Sequence, residues 1–224
     1  MSGIGLLNEK SLHASLKEWY AQPDDQFEVP VDGFFIDIVR DEQLLEIQTR
    51  NLAAIKSKVQ KLAGAWKIRL IYPIAQEKWI VKLAKNGRRG STRRKSPKRG
   101  RIEDVFWEMV SFPSLLTHPN FSLEVVMIQE EEVRRFAGRG RWRRKGWAIE
   151  ERRLLGVVGQ KVYQEPADWR TFVPPGLEEF TTSDLAAANG ITRSLAQRMA
   201  YCLRHAEVIR LAGKVGRANS YRII

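Results

Sequence analysis

Two carboxylates and an amide stand close together early in the chain. Asp37 lies within Phe34-Phe35-Ile36-Asp37-Ile38-Val39, and Glu46 and Gln48 lie within Leu44-Leu45-Glu46-Ile47-Gln48-Thr49. Both runs are short and apolar, as strands are, and the polar link Arg40-Asp41-Glu42-Gln43 predicts a hairpin. Side chains alternate between the faces of a strand, so Glu46 and Gln48 share one face while Leu45 and Ile47 share the other. Asp37 sits among apolar neighbours where a strand buries its residues, and an unpaired buried carboxylate is costly. Two carboxylates on adjacent strands repel each other unless a cation lies between them. A hard divalent ion such as Mg²⁺, or Mn²⁺ in its place, takes carboxylate oxygens and keeps several waters. Such an ion can activate water and neutralise charge on a scissile phosphate. The competing reading is plainer: Asp37 and Glu46 end their strands and pair with Arg40 or Arg50.

The elements that must position these groups follow from periodicity. Asn8 can cap a helix from about Glu9 to Tyr20, with Leu12, Leu16, Trp19 and Tyr20 on one face. At about 100° per residue, Glu9 projects between Leu16 and Tyr20 on the apolar side, and Glu18 nearly opposite. Glu9 is therefore the helical acid expected to face the carboxylate pair, with His13 one turn later. After the hairpin, Leu52, Ile55, Val59 and Leu62 predict a second helix. Residues 67–72 and 79–83 read as two further strands. The order helix, hairpin, helix, strand, strand predicts an α/β core with a mixed sheet. Farther on, residues 102–116 read as a helix, 121–128 as a strand and 153–163 as a hairpin.

These residues resemble the PD-(D/E)xK nuclease superfamily, whose pattern is an acid on a first helix, an Asp on a second strand and Glu-x-Lys on a third. Asp37 and Glu46-Ile47-Gln48 stand at those places, and the resemblance covers roughly residues 9–83. It implies a restriction-endonuclease-like core and a Mg²⁺- or Mn²⁺-dependent endodeoxyribonuclease. Asp37, Glu46 and the carbonyl of Ile47 would hold the metal, Glu9 would add the helical acid, and Gln48 would position water or phosphate. Gln48 departs from the family's lysine, and Lys56 or Lys58 on the next helix is an alternative source of that charge. A different class of function stays open: a non-catalytic DNA-binding regulator or assembly subunit on a decayed nuclease fold.

Charge and composition point to the partner. The chain has 224 residues and a formal charge of +12. Residues 85–101 carry nine basic side chains and no acid. Nucleic acid is the commonest partner for charge concentrated this way; a solvated basic loop or one facing anionic lipid are the alternatives. Arg93, Arg94, Lys95, Lys98 and Arg99 of this segment are expected to contact DNA while remaining too polar to pack. A second basic segment places Trp142 between Arg141 and Arg143, a stacking and phosphate surface; packing of the tryptophan in the core against the neighbouring hairpin is the alternative. No apolar run approaches a membrane span, and the N-terminus lacks a signal peptide's pattern. One cysteine and three scattered histidines argue against disulfides and zinc, and suit a reducing cytoplasm. Homodimerisation, or membership of a larger DNA-processing complex, is compatible with this reading.

The C-terminal residues suggest a separate module. Pro174-Pro175-Gly176 marks a boundary between a nuclease-like domain at 1–173 and a small domain at 174–224. There, a capped short helix, Asn189-Gly190, a longer helix and a basic hairpin resemble a winged helix-turn-helix. The resemblance implies that Arg193, Gln197 and Arg198 of the second helix face the major groove, with Lys214 and Arg217 of the wing on phosphate or in the minor groove. A winged helix that docks protein is the alternative.

Overall fold

A computed structural model describes residues 11–84, 91–138 and 146–224. The architecture is mixed α/β, with a seven-stranded mixed sheet and a second sheet of three strands. Helix α1 (Leu12–Tyr20) is capped by Ser11, whose side chain accepts from the Ala14 N–H, and its four-residue spacing buries Leu12, Leu16 and Tyr20. Strand β1 (Gln26–Val31) turns into β2 (Phe34–Arg40) through Asp32 and Gly33, with φ of 48° and 84°. Positive φ at both central residues matches the twist of the flanking strands. Strand β3 (Gln43–Ile47) returns antiparallel to β2. A 3-10 turn (Leu52–Ile55) and helix α2 (Lys56–Ala63) then carry the chain over to β4 (Lys67–Lys82), which runs parallel to β3.

β4 is long enough to serve two neighbours on one edge. β3 pairs with residues 67–71 and β5 (Thr92–Lys95) with residues 79–82. On its other edge β4 pairs in parallel with β6 (Phe121–Phe136), and β6 pairs antiparallel with β7 (Trp147–Tyr163). The strand order is β1-β2-β3-β4-β6-β7. Beyond β3, the ends of β4, β6 and β7 continue together with β5 as an arm.

α1 covers one apolar cluster, packing Leu12, Leu16 and Tyr20 on Ile38, Leu45, Ile71 and Val126. A larger cluster joins α2 and α3 (Phe106–Met109) to the C-terminal helices. The short helix α4 (Pro166–Arg170) brings Trp169 and then Phe172 onto Tyr163, at 4.8 and 5.1 Å between ring centres. After β8 (Glu179–Thr181) come α5 (Thr182–Asn189) and α6 (Arg193–His205), separated by Gly190 at φ 60°. A hairpin of β9 (Ile209–Val215) and β10 (Ala218–Ile223) closes the chain in the order β8-β10-β9. The Arg101 guanidinium donates to the carbonyls of Asn189 and Gly190 at 2.6 and 2.9 Å, fastening the α5–α6 turn to the first part of the chain.

Several local expectations change. The two strands expected at 67–72 and 79–83 are one, β4, and Trp19, expected on the apolar face of α1, is exposed. β1 is a strand that the sequence reading leaves unassigned. The helix expected over 102–116 breaks into a 3-10 turn, α3 and a second 3-10 turn opening at Pro113, a residue that cannot continue a helix. The hairpin expected at 153–163 is one strand; Gly156 and Gly159 lie beside register shifts in the β6–β7 ladder, where an extra residue bends a strand without turning it. Residues 92–95, expected to be too charged to pack, form β5.

Candidate functional site

The β2–β3 ladder ends at the pair Ile38 and Leu45, and Asp37 and Glu46 are the next residues along. Beyond this point a side chain does the ladder's work: Asp37 Oδ2 accepts from the Ile47 N–H at 2.8 Å. On its other edge β3 stays tied to β4, the Gln48 N–H donating to the Ile71 carbonyl at 3.0 Å. Both carboxylates are buried, Asp37 at 8% and Glu46 at 6% exposure.

Basic side chains from two helices reach them. α1 sends His13, with Nε2 3.0 Å from Asp37 Oδ1, and Lys17, with Nζ 3.5 Å from the same oxygen. Lys17 also pairs with Glu28. α2 sends Lys58, whose ammonium donates to Glu46 Oε1 and to the Phe35 carbonyl, each at 2.6 Å. Burial pushes both carboxyls up. For Asp37, the hydrogen bonds from His13 and Ile47 and the charges of His13 and Lys17 outweigh burial and hold it below the usual range. For Glu46, burial with the Asp37 charge beside it outweighs Lys58, and the group is raised. Its second oxygen, Oε2, is buried with no hydrogen-bond partner among the described residues.

That orphan oxygen tests the fit of a metal. An acceptor-only atom out of water needs a donor or a cation. Mg²⁺ is ordinarily held by one or two protein carboxylates and otherwise by water and phosphate. Among the described residues no group of three metal-ligating acids, histidines or cysteines gathers. Of the pair's four oxygens, Glu46 Oε2 alone is left open among the described residues, and its chemistry fits an ion that needs as few as one or two carboxylates.

The structure brings together Asp37, Glu46 and Ile47, with Lys58 on the second acid. Gln48 is spent elsewhere: its amide donates to the carbonyls of Arg50 and Asn51, at 2.6 and 3.3 Å, and steadies the turn after β3. Glu9 lies outside the described residues. Lys17, which sequence reasoning missed, could have been found from its place one helical turn beyond His13.

The basic residues divide. Arg93 is paired with Glu131 at 2.7 Å, and Lys95 with Glu77 at 2.5 Å, both cations lying over the Trp79 ring. Arg99 lies 3.6 Å from Glu77. Much of this charge therefore answers acids of the arm. Arg94 and Lys98 are exposed and form no ion pair with a described residue. Arg193, Gln197, Lys214 and Arg217 are exposed as well. Arg198 is half-buried, its guanidinium 4.8 Å from the ring centre of Trp107. Arg141, Trp142 and Arg143 lie outside the described residues.

A second polar group was not read from sequence. Glu130, fully buried, is held by Lys78 at 2.7 Å and by Arg152 at 2.9 Å. Arg152 also donates to the Thr49 carbonyl at 3.1 Å, linking this group to the end of β3. The signal for it was a run of three glutamates following the apolar stretch Val125-Val126-Met127-Ile128 of the same strand.

Comparison with known proteins finds similarity along nearly the whole chain. It is 29% identical over 222 residues to an uncharacterized protein of Treponema pallidum (strain Nichols), covering 98% of this chain and 87% of that one. No solved structure matches. Residues 10–164, which span α1, both carboxylates and the whole seven-stranded sheet, match the family described as Domain of unknown function (DUF8091), and the chain belongs to that family.

Proposed function

We propose that the chain is a metal-dependent DNA endonuclease on a PD-(D/E)xK, restriction-endonuclease-like core, with a C-terminal winged helix-turn-helix that holds DNA. The observation that carries the reading is the placement of Asp37 and Glu46 at the end of the β2–β3 ladder, buried together with an orphan oxygen. The order α1, β1, β2, β3, α2, β4, with β4 parallel to β3, supports such a core. The helices α5 and α6 followed by a basic hairpin support a winged helix.

Asp37, Glu46 and the Ile47 carbonyl would hold Mg²⁺ or Mn²⁺, which when bound supplies an activated water and neutralises charge on the scissile phosphate. Lys58 brings the positive charge from α2 that the motif's lysine would bring from β3 itself. His13 and Lys17 help hold the Asp37 carboxyl below the usual range, which keeps it ionised. A basic surface on α6 and the wing would hold the duplex through its phosphates.

A second reading, a non-catalytic DNA-binding protein, is favoured by one observation: the Gln48 amide is committed to a turn. Metal-dependent nicking of supercoiled plasmid separates the two. The endonuclease nicks with Mg²⁺ or Mn²⁺, and Asp37→Ala or Glu46→Ala reduces cleavage to background while the protein stays folded. Undiminished cleavage by either variant rejects the metal site. DNA binding without cleavage in either metal selects the second reading.

A further inference from the structure

Between the arm and α3 lies a cavity of about 410 Å³, within the range of roughly 300–1,000 Å³ that small-ligand pockets occupy. Its lining includes Tyr72, Lys78, Lys98, Trp107, Arg134 and Arg152. The cations have different supports. Lys78 and Arg152 are fixed from beneath by Glu130, and Arg134 by Glu132 at 2.6 Å. Lys98 is exposed and unpaired among the described residues. The lining acids are already engaged by main-chain donors: Asp104 by the Arg101 N–H at 3.1 Å, and Glu108 by the Leu52 N–H at 3.0 Å.

The cavity reaches Thr49, in the turn that follows the strand bearing Glu46. Arg152 holds the carbonyl of Thr49 and Glu108 holds the N–H of Leu52, so both ends of the turn that follows β3 are gripped by cavity residues. The aromatic wall is Trp107, 41% exposed, with Arg198 of α6 stacked on it. An exposed indole backed by a guanidinium is a surface on which a flat, polarisable ring stacks. Burial, and then the Glu108 charge, push the Tyr72 hydroxyl up to about 12, which leaves it a neutral donor.

Given the nucleic-acid ligand of the reading above, on which this rests, we infer that the cavity receives one unpaired nucleotide, its base stacked on Trp107 and its phosphate met by Lys98. The bases of an intact duplex are stacked on one another and cannot reach an aromatic wall inside a cavity. A nucleotide must be extruded to enter, and extrusion costs least where it is already unpaired. The substrate is accordingly DNA with a single-stranded or extrahelical nucleotide beside the scissile bond.

The test is DNA binding by the full chain in EDTA, which separates it from cleavage. One sequence is presented as a duplex, as the same duplex with one unpaired adenine, and as a single strand. The wild type binds the two unpaired forms at least about tenfold more tightly than the duplex. Trp107→Ala loses about tenfold on the unpaired forms, the scale of one base stack, and less than about twofold on the duplex. Trp107→Phe, which keeps a ring, retains most of the preference. Lys98→Ala, at an exposed position where folding is not at stake, lowers the slope of log affinity against log salt on single strands by about 0.7. Equal affinity of the wild type for all three DNAs overturns the inference, as does a Trp107→Ala loss equal on every DNA or an unchanged slope for Lys98→Ala. In each of these cases the endonuclease reading stands. Failure to bind any of the three overturns both.

Discussion

Asp37 and Glu46 are neighbours of the same chemical type, yet their surroundings drive their acidities apart. The folded state holds Asp37 below its ordinary 3.8, so the stability it contributes is present above that value and is lost as pH falls through the lower folded one. Glu46 has the opposite sign. Its folded value lies above 4.5, so the favourable contribution is present below 4.5 and is lost as pH rises through the folded value. At neutral pH the ionised Glu46 is a burden on the fold, of the kind functional sites commonly retain. Glu46→Gln is expected to raise stability by about 1 kcal/mol at pH 7 and to lose that advantage near pH 4. Urea unfolding at the two pH values checks this, and a less stable variant at pH 7 would contradict it. On the proposed metal site, Mg²⁺ is expected to reverse the order. A hundredfold excess over Kd stabilises the wild type by about 2.7 kcal/mol and leaves Glu46→Gln almost unmoved.

Elements show why some of this was legible and some was not. α1, β2, β3, α2 and the start of β4 follow from apolar periodicity, because each buries one face in the core. β1 escaped although Phe27, Val29 and Val31 alternate with Gln26, Glu28 and Pro30: none of its residues is buried, and a proline within the run argues against a strand, while Asp32-Gly33 was a hairpin signal in plain view. β5 escaped because composition cannot reveal that Arg93 and Lys95 meet Glu131 and Glu77, residues far away along the chain. Asp37 and Glu46 were legible since the hairpin that joins them is local. The Glu130 group was not, since Lys78 and Arg152 reach it through the long β4–β6–β7 register. One small residue shows how closely these elements fit. The Gly100 N–H bonds the Ala75 carbonyl at 2.9 Å, and a Cβ there would lie 2.5 Å from that oxygen and 2.7 Å from Ile74 Cγ2. Gly100→Ala must therefore lift residues 96–101 off β4, with an expected loss of about 1–3 kcal/mol that denaturant melting would measure.

Across the whole molecule, one apolar cluster runs from the first sheet into the C-terminal helices, and Arg101 and the Arg198–Trp107 stack add polar fastenings. No helix among the described residues is long and apolar enough to cross a membrane. The charged tip between β9 and β10 stands clear of these fastenings, so its charge can be changed without disturbing the core. Lys214→Glu with Arg217→Glu should weaken duplex binding and lower its salt slope by about 0.9 for each phosphate no longer neutralised. An unchanged slope would assign the terminal hairpin to a protein partner instead.

β3 stops pairing with β4 at Ile71, whereas β4 continues to Lys82, with β6 beside it and parallel. At about 3.3 Å per residue this overhang spans about 36 Å, close to one turn of B-form DNA, about 34–36 Å. On a duplex laid along the arm, the carboxylates and the arm's end would touch the same side of the helix one turn apart. On the proposed endonuclease reading the protein would carry its own ruler: the distance from the cut to the outermost contact would be set by strand length, and would shift stepwise if β4 and β6 were lengthened or shortened together.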